Sequence, residues 1–318
     1  MLKVRVQEKV KLAEDIMGFL LVDPHGTPLP DYEAGAHIAV NVPGGFVRHY
    51  SLYKLMDDEV EGYPIAVLRD RNSRGGSEKL VDLVGEGDEL MISPPANGFP
   101  INHEADQSVL IAGGIGITPI LCMAQQLLSQ QRDFHIHYCG RSPYRMAFLD
   151  VLKTGYLSSS TSIHTDDGPA SQKFDTVAAL GSPAEGKHLY VCGPGGFMAH
   201  VLEVAANQGW LGDHIHREYF SATPSEPSSS GSFEIEIRST GERITVPAGC
   251  SALHALRRAG IDVPFSCEEG LCGTCLTGII SGVPDHRDMY LTDLEKSRND
   301  SFLPCCSRAL TDRLILDL

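Results

Sequence analysis

The sequence predicts a multidomain chain of three parts: a β-barrel, a doubly wound α/β domain and a smaller α+β domain. Residues 1–102 contain short runs of alternating polar and apolar residues separated by turn clusters, which is typical of a barrel. Residues 103–221 alternate strand-like and helix-like segments, which indicates a parallel sheet. Residues 222–232 are rich in proline and serine and are predicted to form a linker to a third domain at 233–318.

Composition limits the classes of function. The chain has 318 residues, a formal net charge of -15 and 42% hydrophobic residues. The excess acid argues against nucleic acid and anionic membranes as partners. No segment reaches the roughly 18 apolar residues of a membrane span. The N-terminus lacks the pattern of a signal peptide, so we expect the protein in the cytoplasm. Nine cysteines in a cytoplasmic protein indicate metal binding or catalysis rather than disulfides.

Two segments of the first domain suit a ligand that carries a phosphate and a flat ring. In RHYS, residues 48–51, the guanidinium of Arg48 suits a phosphate, while Tyr50 beside Ser51 suits the face and edge of a flavin ring. An ordinary barrel strand explains this segment equally well. The GGS turn at residues 75–77 precedes a predicted helix, so its N–H groups and the helix dipole favour an anion.

The second domain contains a glycine turn that suits a dinucleotide. Gly114 and Gly116 follow a predicted strand and would let the backbone approach a pyrophosphate. Thr118 is predicted to cap the next helix, and Pro119 suits its first turn. Because Pro119 stands where the full fingerprint has its third glycine, a purely structural turn explains the segment as well. A second strand ends in CGP at residues 192–194.

Two further features of this domain bear on ligands. A dinucleotide fold is expected to hold the ribose 2′-OH with an acidic residue, but Arg141 follows the second predicted strand. An arginine there would suit a 2′-phosphate or would simply be a surface charge. His135 and His137 would share one face of this strand, but no third ligand is evident nearby, so we do not expect them to bind a metal.

The third domain contains the most specific motif of the chain. The loop CEEGLCGTC at residues 267–275 has the C-x4-C-x2-C spacing of a plant-type [2Fe-2S] site, and Cys305 follows later. Gly270 and Gly273 would let the loop wrap tightly around such a cluster. Four cysteines also suit zinc, but structural zinc sites usually pair two short knuckles. Because Cys306 is adjacent to Cys305, spacing alone does not decide the fourth ligand.

The cysteine loop resembles that of plant-type ferredoxins, and a hairpin, a helix and then the loop is their β-grasp order. The C-terminal segment GVPDHRDMYLTDLEKSRNDSFLPCCSRALTDRLILDL narrows this resemblance. Over essentially its whole length the chain is similar to the phthalate dioxygenase reductase and vanillate O-demethylase reductase family, which serves Rieske oxygenases. The resemblance implies an FMN-binding barrel, an NAD-binding α/β domain and a [2Fe-2S] ferredoxin domain. The implied iron ligands are Cys267, Cys272, Cys275 and Cys305.

The resemblance also implies the other site residues. FMN is favoured over FAD, because no extra segment for the adenosine half is evident. The implied FMN contacts are Arg48, His49, Tyr50, Ser51, Ala66, Val67, Gly75, Gly76 and Ser77. NADH, favoured over NADPH, is expected beside Gly114, Gly116, Thr118, Cys192, Gly193 and Pro194. Phe220 is expected to lie against the flavin ring where the nicotinamide enters, so Cys192 and Phe220 are the residues nearest the reaction.

The implied function is electron transfer. A nicotinamide gives up two electrons together as hydride, a [2Fe-2S] cluster accepts one at a time, and a flavin between them can do both. The resemblance implies the Rieske centre of a separate oxygenase component as acceptor, with a vanillate- or phthalate-like aromatic acid as that component's substrate. One alternative is an NAD(P)H-dependent flavin/iron-sulfur reductase for another acceptor, such as a haem monooxygenase. Another is a non-catalytic sensor or scaffold that binds zinc and a nucleotide.

Overall fold

The computed structural model describes residues 1–55, 61–71, 75–220 and 231–318. The chain divides into two compact units, Met1–Phe220 and Ser221–Leu318. Most of the predicted linker, residues 222–230, lies outside the described residues. In the part of the chain that the structure describes, no helix is both long enough and apolar enough to span a membrane.

The first unit begins with an antiparallel seven-stranded sheet in the order β4-β3-β6-β1-β2-β5, with β7 paired to β3. An isolated antiparallel bridge between Leu52 and Ile65 joins the ends of this order, which closes the sheet into a barrel. Alternate residues such as Ile38 and Val40 fill its interior. The elements are β1 (Leu2–Ala13), β2 (Ile16–Val22), β3 (Ala36–Val42), β4 (Phe46–Ser51), β5 (Tyr63–Leu68), α1 (Gly76–Leu83), β6 (Glu89–Ile92) and β7 (Ala96–Asn97).

The first unit continues with a parallel five-stranded sheet in the order β10-β9-β8-β11-β12. Alternate residues of each strand face opposite sides, so α2 covers one face and α5 the other. Such a doubly wound sheet gathers the carboxyl ends of its strands at one edge. The elements are β8 (Gln107–Gly113), α2 (Ile117–Ser129), β9 (Asp133–Gly140), α3 (Leu149–Lys153), β10 (Thr161–Thr165), α4 (Thr176–Leu180), β11 (Lys187–Gly193), α5 (Gly195–Asn207) and β12 (Ile215–Tyr219).

The barrel and the parallel sheet share one apolar core. Barrel residues Ile16, Tyr53 and Ala66 belong to the same buried cluster as Ala112 and Ile120 beneath α2. Burial of a continuous apolar surface is the dominant favourable term in such an association. The two sheets therefore form one compact unit.

The second unit is a mixed sheet covered by a helix. The strand order is β14-β13-β19-β15-β17, and β13 runs parallel to β19. Ser251 caps α6 by accepting a hydrogen bond from the His254 N–H at 3.1 Å, and α6 packs its apolar face on the sheet. The elements are β13 (Phe233–Ile237), β14 (Arg243–Val246), α6 (Ala252–Arg258), β15 (Thr277–Ser281), β16 (Pro284–Asp285), α7 (Asp293–Arg298), β17 (Ser301–Phe302), β18 (Arg308–Ala309) and β19 (Arg313–Leu316).

Candidate functional site

Arg48 on β4 lies against the first turn of α1. Gly75 has a φ of 91°, which favours glycine, and the helix begins at Gly76. A Cβ on Gly76 would lie 2.6 Å from the Arg48 Nε atom, so only glycine permits this close approach. A guanidinium beside the N-terminus of a helix adds its positive charge to the positive end of the helix dipole, which suits a phosphate.

Tyr50 supplies an observation that points to a ligand. Its hydroxyl is buried, and no hydrogen-bond partner for it exists among the described residues. Burial also raises the pKa of Tyr50, so the phenol stays neutral. Because buried polar groups are nearly always paired in native proteins, this hydroxyl fits a bound group in the barrel.

The other predicted barrel residues lie along the same strands. His49 and Ser51 flank Tyr50 on β4, and Ser77 Oγ accepts a hydrogen bond from the Asp70 N–H at 3.3 Å. Ala66 belongs to the core beneath α2, whereas the Val67 side chain lies inside the barrel core. These two neighbours therefore face opposite sides of β5, and only the backbone of Val67 is available to a ligand.

The glycine turn brings β8 and β11 together. Gly114 has a φ of 55°, and a Cβ on Gly116 would lie 2.3 Å from the Cys192 carbonyl oxygen. Gly193 lies directly beside the end of β8, since its Cβ would lie 3.1 Å from the Gly113 Cα atom. Pro194 then caps α5. The glycines thus let the turn and the CGP segment pack directly against each other at the carboxyl edge of the sheet.

The prediction that Thr118 caps α2 is wrong. The helix already begins at Ile117, and the Thr118 hydroxyl donates to the Ile115 carbonyl oxygen at 3.1 Å. The short 3-10 turn at Gly114–Gly116 replaces a side-chain cap. Thr118 is buried, so its side chain packs the turn from within.

Glu218 is a site residue that sequence reasoning missed. It stands opposite Cys192 in the pairing of β11 with β12, and it accepts a hydrogen bond from Ser51 Oγ at 3.3 Å. Burial raises the pKa of Glu218 to about 8, although the Ser51 hydrogen bond lowers it somewhat. Burial, and then the charge of Glu218, raise the pKa of the Cys192 thiol. At neutral pH this site thus holds a protonated thiol and a mostly protonated carboxyl.

Phe220 follows β12 directly, two positions after Glu218, and its side chain is exposed. The sequence gave little indication that Glu218 belongs to a site, because an acid in the segment IHREYF is typical of the solvent-facing side of an edge strand. The one available indication was that Glu218 lies two residues before Phe220, which was itself a predicted site residue. Strand pairing, which the sequence did not reveal, places this acid beside Cys192.

Asp166 and Asp167 were also missed. They follow β10, and their backbone N–H groups donate to the carbonyl oxygens of Gly140 and Arg141, at 3.0 and 3.1 Å. A dinucleotide fold is expected to have an acidic residue after β9, where this chain has Arg141. Here two acidic residues follow the neighbouring strand β10 instead, beside Arg141. Since both acids are exposed at the carboxyl edge, they can reach a ribose bound there.

The histidine pair on β9 has a third imidazole nearby, contrary to the expectation from sequence. His137 Nδ1 lies 3.2 Å from His164 Nε2 on β10. His135 Nε2 lies 2.9 Å from Ser162 Oγ. Among the residues that the structure describes, no group of three or more His, Cys, Asp or Glu side chains is arranged to hold a single metal ion.

The four predicted cluster cysteines interact with one another. The Cys267 thiol donates to Cys272 and lowers the pKa of that residue, and Cys305 donates to Cys275 and lowers its pKa. The charge of Cys272 also acts on Cys275, where it raises the pKa, so the four thiols lie close together. They therefore suit the four protein ligands that a [2Fe-2S] cluster requires.

The two loop glycines adopt the backbone conformation that the predicted tight loop needs. Gly270 and Gly273 have φ values of 75° and 71°, which side chains rarely adopt. A Cβ on Gly270 would lie 2.5 Å from Cys306 Sγ, and one on Gly273 would meet the Tyr290 ring. The loop also contains a hydrogen bond to a sulfur atom, since the Glu269 N–H donates to Cys267 Sγ at 3.4 Å. Because glycine has no side chain, the loop can pack closely against Cys306 and Tyr290 at these two positions.

Cys305, rather than Cys306, contacts Cys275 directly. Cys306 also touches Cys305, but its thiol is directed to the Leu303 carbonyl oxygen and the Ser307 hydroxyl, at 3.7 and 3.8 Å. This geometry favours Cys305 as the fourth ligand.

Comparison with known proteins assigns the family. Models of a 2Fe-2S iron-sulfur cluster binding domain and of a dimethylamine monooxygenase subunit DmmA-like N-terminal domain match residues 235–310 and 91–215. A vanillate O-demethylase oxidoreductase of a Pseudomonas species is 48% identical over 318 residues, covering 100% of both chains. A phthalate dioxygenase reductase of Burkholderia cepacia is 41% identical, covering 100% of this chain and 97% of the relative. The chain belongs to this reductase family.

A solved structure extends this likeness to the fold. It is a phthalate dioxygenase reductase, described as a modular structure for electron transfer from pyridine nucleotides to [2Fe-2S]. The likeness has a TM-score of 0.74 with 40% identity, and covers 100% of this chain and 98% of that chain. The predicted fold class is confirmed: this reductase combines a flavin-type barrel, a nucleotide-type α/β sheet and a ferredoxin-type domain. The match at residues 235–310 includes all four predicted cluster cysteines.

Proposed function

We propose that this protein is the NADH-dependent reductase component of a two-component Rieske oxygenase. Electrons pass from NADH through FMN and a [2Fe-2S] cluster to the oxygenase component. The match of residues 235–310 to a 2Fe-2S iron-sulfur cluster binding domain, which includes Cys267, Cys272, Cys275 and Cys305, carries this proposal. Membership of the reductase family supports NADH and FMN as the other two redox groups.

The barrel residues hold FMN in this proposal. Arg48 and the first turn of α1 bind the phosphate, since the guanidinium and the positive end of the helix dipole meet at one point. The unpartnered Tyr50 hydroxyl accepts or donates the hydrogen bond that the described residues do not supply. The other contacts are His49, Ser51, Ala66, Val67, Gly75, Gly76 and Ser77. When bound, a flavin takes up two electrons together and releases them singly, and a [2Fe-2S] cluster carries one.

The nucleotide binds at the glycine turn and the CGP segment in this proposal. Gly114, where a Cβ would meet nothing within 4 Å, admits the pyrophosphate close to the backbone, and Gly116 lets the turn pack against the Cys192 carbonyl. Cys192, Gly193 and Pro194 lie beside the nicotinamide. Thr118 supports the turn from within. Because Cys192 is buried and its thiol stays protonated, it shapes the nicotinamide pocket without adding a charge. Phe220, one residue beyond β12, occupies the flavin face until the nicotinamide enters.

Two acids support NADH over NADPH. Asp166 and Asp167 lie at the end of β10 beside Arg141. A carboxylate accepts a hydrogen bond from a ribose 2′-OH and repels a 2′-phosphate. Arg141 alone would favour the phosphate, but the two neighbouring negative charges outweigh its single positive charge.

The names of two relatives support an oxygenase component as the protein that accepts the electrons. Reductases of vanillate O-demethylase and of phthalate dioxygenase share 48% and 41% identity with this chain, so we infer an oxygenase with a Rieske centre that acts on a vanillate- or phthalate-like acid. The aromatic acid itself binds to the oxygenase. We place the reaction in the cytoplasm, because none of the nine cysteines forms a disulfide and cytoplasmic cysteines are kept reduced.

A visible spectrum before and after anaerobic NADH tests the proposal. We expect flavin and iron-sulfur bands that bleach together, with FMN identified by mass after its release. Cys192→Ala should slow flavin reduction in stopped flow while both chromophores stay bound. A chain truncated after Phe220 should still reduce ferricyanide with NADH but not cytochrome c. A colourless or zinc-containing protein that ignores NADH would contradict the proposal.

A further inference from the structure

Two cations from different elements of the barrel contact one aromatic ring. The Arg48 guanidinium carbon, on β4, lies 5.1 Å from the centre of the Phe46 ring, and the Lys79 Nζ atom, on α1, lies 4.6 Å from the same centre. Both distances are within the roughly 6 Å at which the face of a ring attracts a cation. Because both side chains contact one ring, their positive charges are held close together. We call Phe46, Arg48 and Lys79 the cationic corner.

The backbone around the cationic corner fixes both side chains. Gly44, in the turn between β3 and β4, has a φ of 90°, and a Cβ there would lie 2.5 Å from Lys79 Nζ. The ammonium of Lys79 therefore packs against this turn. The Arg48 guanidinium packs against Gly76 in the first turn of α1, as described above. Phe46 itself packs against the barrel core, so its ring is a fixed support for both cations.

The charges of the cationic corner are not neutralised by the protein. Among the ion pairs that the described residues form with one another, none includes either of the two cations. The two acids of α1, Glu78 and Asp82, pair instead with Arg69, at 3.4 and 2.7 Å. Arg48 donates to the uncharged Val47 carbonyl oxygen at 2.8 Å. Like charges repel, so two uncompensated cations in a chain with a net charge of -15 indicate an anionic ligand.

The charge of the cationic corner suits a phosphate monoester, which carries close to two negative charges at neutral pH. Two cations beside the positive end of the α1 dipole match this charge. Phe46, Arg48 and Tyr50 are alternate residues of β4 and share one face of the strand. The buried Tyr50 hydroxyl has no hydrogen-bond partner among the described residues, which is an independent indication that a ligand binds along this face.

We infer that Lys79 is a second phosphate-binding cation beside Arg48, and that Phe46 is the positioning residue that holds both cations for the terminal phosphate of FMN. The cationic corner thereby makes the barrel select FMN over riboflavin, which has no phosphate. It also selects FMN over FAD, in which the same phosphate is esterified a second time and carries one charge less. This inference rests on the proposed function, because it takes FMN as the flavin.

The test compares FMN with riboflavin, since the two differ only in the phosphate. The full chain is freed of flavin by dialysis, and each flavin is titrated back while the quenching of its fluorescence is followed. Lys79→Gln should weaken FMN binding about tenfold and leave riboflavin binding within about twofold. Phe46→Leu, which keeps an apolar side chain, should also weaken FMN binding about tenfold without affecting riboflavin. Phe46→Tyr, which keeps the ring, should bind FMN as the unmodified chain does.

The matched control is Lys153→Gln, the same change at an exposed position of α3, which should bind both flavins as the unmodified chain does. Equal weakening of FMN and riboflavin by Phe46→Leu would assign the ring a merely structural role and overturn the inference. If Phe46→Leu does not fold, Lys79→Gln decides, and an unchanged FMN affinity in that variant would also overturn the inference. A protein that binds no flavin, or that carries FAD when purified, would instead contradict the proposed function.

Discussion

Replacing Glu218 with glutamine should remove a large part of the pH dependence of stability in the first unit. Burial raises the pKa of this carboxyl from its ordinary value of 4.5 to about 8. Between these two values the native state keeps the proton while the unfolded state releases it. The free energy of unfolding contributed by Glu218 is therefore fully present below pH 4.5 and is lost as the pH rises towards 8.

The size of this loss follows from the two pKa values. One pKa unit corresponds to about 1.36 kcal/mol. With a pKa of about 8 in the native state and 4.5 in the unfolded state, the loss is about 3 kcal/mol at pH 7 and at most about 5 kcal/mol above pH 9. Glutamine keeps an oxygen that can accept from Ser51 but has no proton to release, so Glu218→Gln should not show this loss.

Denaturant unfolding followed by tryptophan fluorescence measures the effect. Trp210 is the single tryptophan of the chain and is 6% exposed in the core of the first unit, so it reports on that unit. The difference in unfolding free energy between Glu218→Gln and the unmodified protein should rise by about 4 kcal/mol from pH 5 to pH 8.5. Glu203→Gln, the same change at an exposed position of α5, should give a constant difference. Parallel pH profiles for all three proteins would refute the reasoning.

Three other predictions test the remaining sites. Cys305→Ser should abolish the iron-sulfur absorbance and electron paramagnetic resonance signal, whereas Cys306→Ser should keep both; the reverse result would transfer the fourth ligand to Cys306. Serine at both acids of residues 166–167 should shift the NADH-to-NADPH ratio of kcat/KM by about tenfold or more towards NADPH, and an unchanged ratio would remove them from the ribose site. Gly116→Ala places a Cβ 2.3 Å from a backbone oxygen and should cost about 2–3 kcal/mol in denaturant unfolding, whereas Gly196→Ala, with nothing within 4 Å, should not destabilise the protein.

The local features of the chain could be predicted because their chemistry lies in consecutive residues. The spacing of residues 267–275 and the two glycines in that loop indicated a cluster site before any fold was known. Alternation of polar and apolar residues separated the barrel from the parallel sheet. In both cases one short window contains the whole signal.

The missed features depend on strand register. Glu218 is a site residue only because β12 pairs with β11 so that it stands opposite Cys192, and only because Ser51 arrives from the barrel. Asp166 lies beside Gly140 only because β10 pairs with β9. A single sequence does not encode these long-range pairings as a local pattern.

The prediction that Thr118 caps α2 was wrong for a different reason. Sequence rules place a threonine at the start of a helix because its side chain can accept from a free N–H. Here a short 3-10 turn occupies the positions before the helix, and the Thr118 hydroxyl instead donates to a carbonyl oxygen within that turn. The Ile117 N–H already donates to the carbonyl oxygens of Gly114 and Ile115, so the turn itself satisfies an N–H at the start of the helix.

The division into compact units follows the chemistry of the two transfers. Hydride transfer requires the donor and acceptor atoms to meet at about 3–3.5 Å with fixed orientation. The barrel and the parallel sheet are held together, since they share one apolar core and a part-buried hydrogen bond from Ser51 to Glu218. Movement between these two sheets would break that bond and leave a carboxyl buried without a partner, at a cost of about 1–3 kcal/mol. Transfer of a single electron needs no such atomic contact, so the cysteine loop can be carried by a separate compact unit. The shared core is therefore required where hydride moves and is unnecessary where only electrons move.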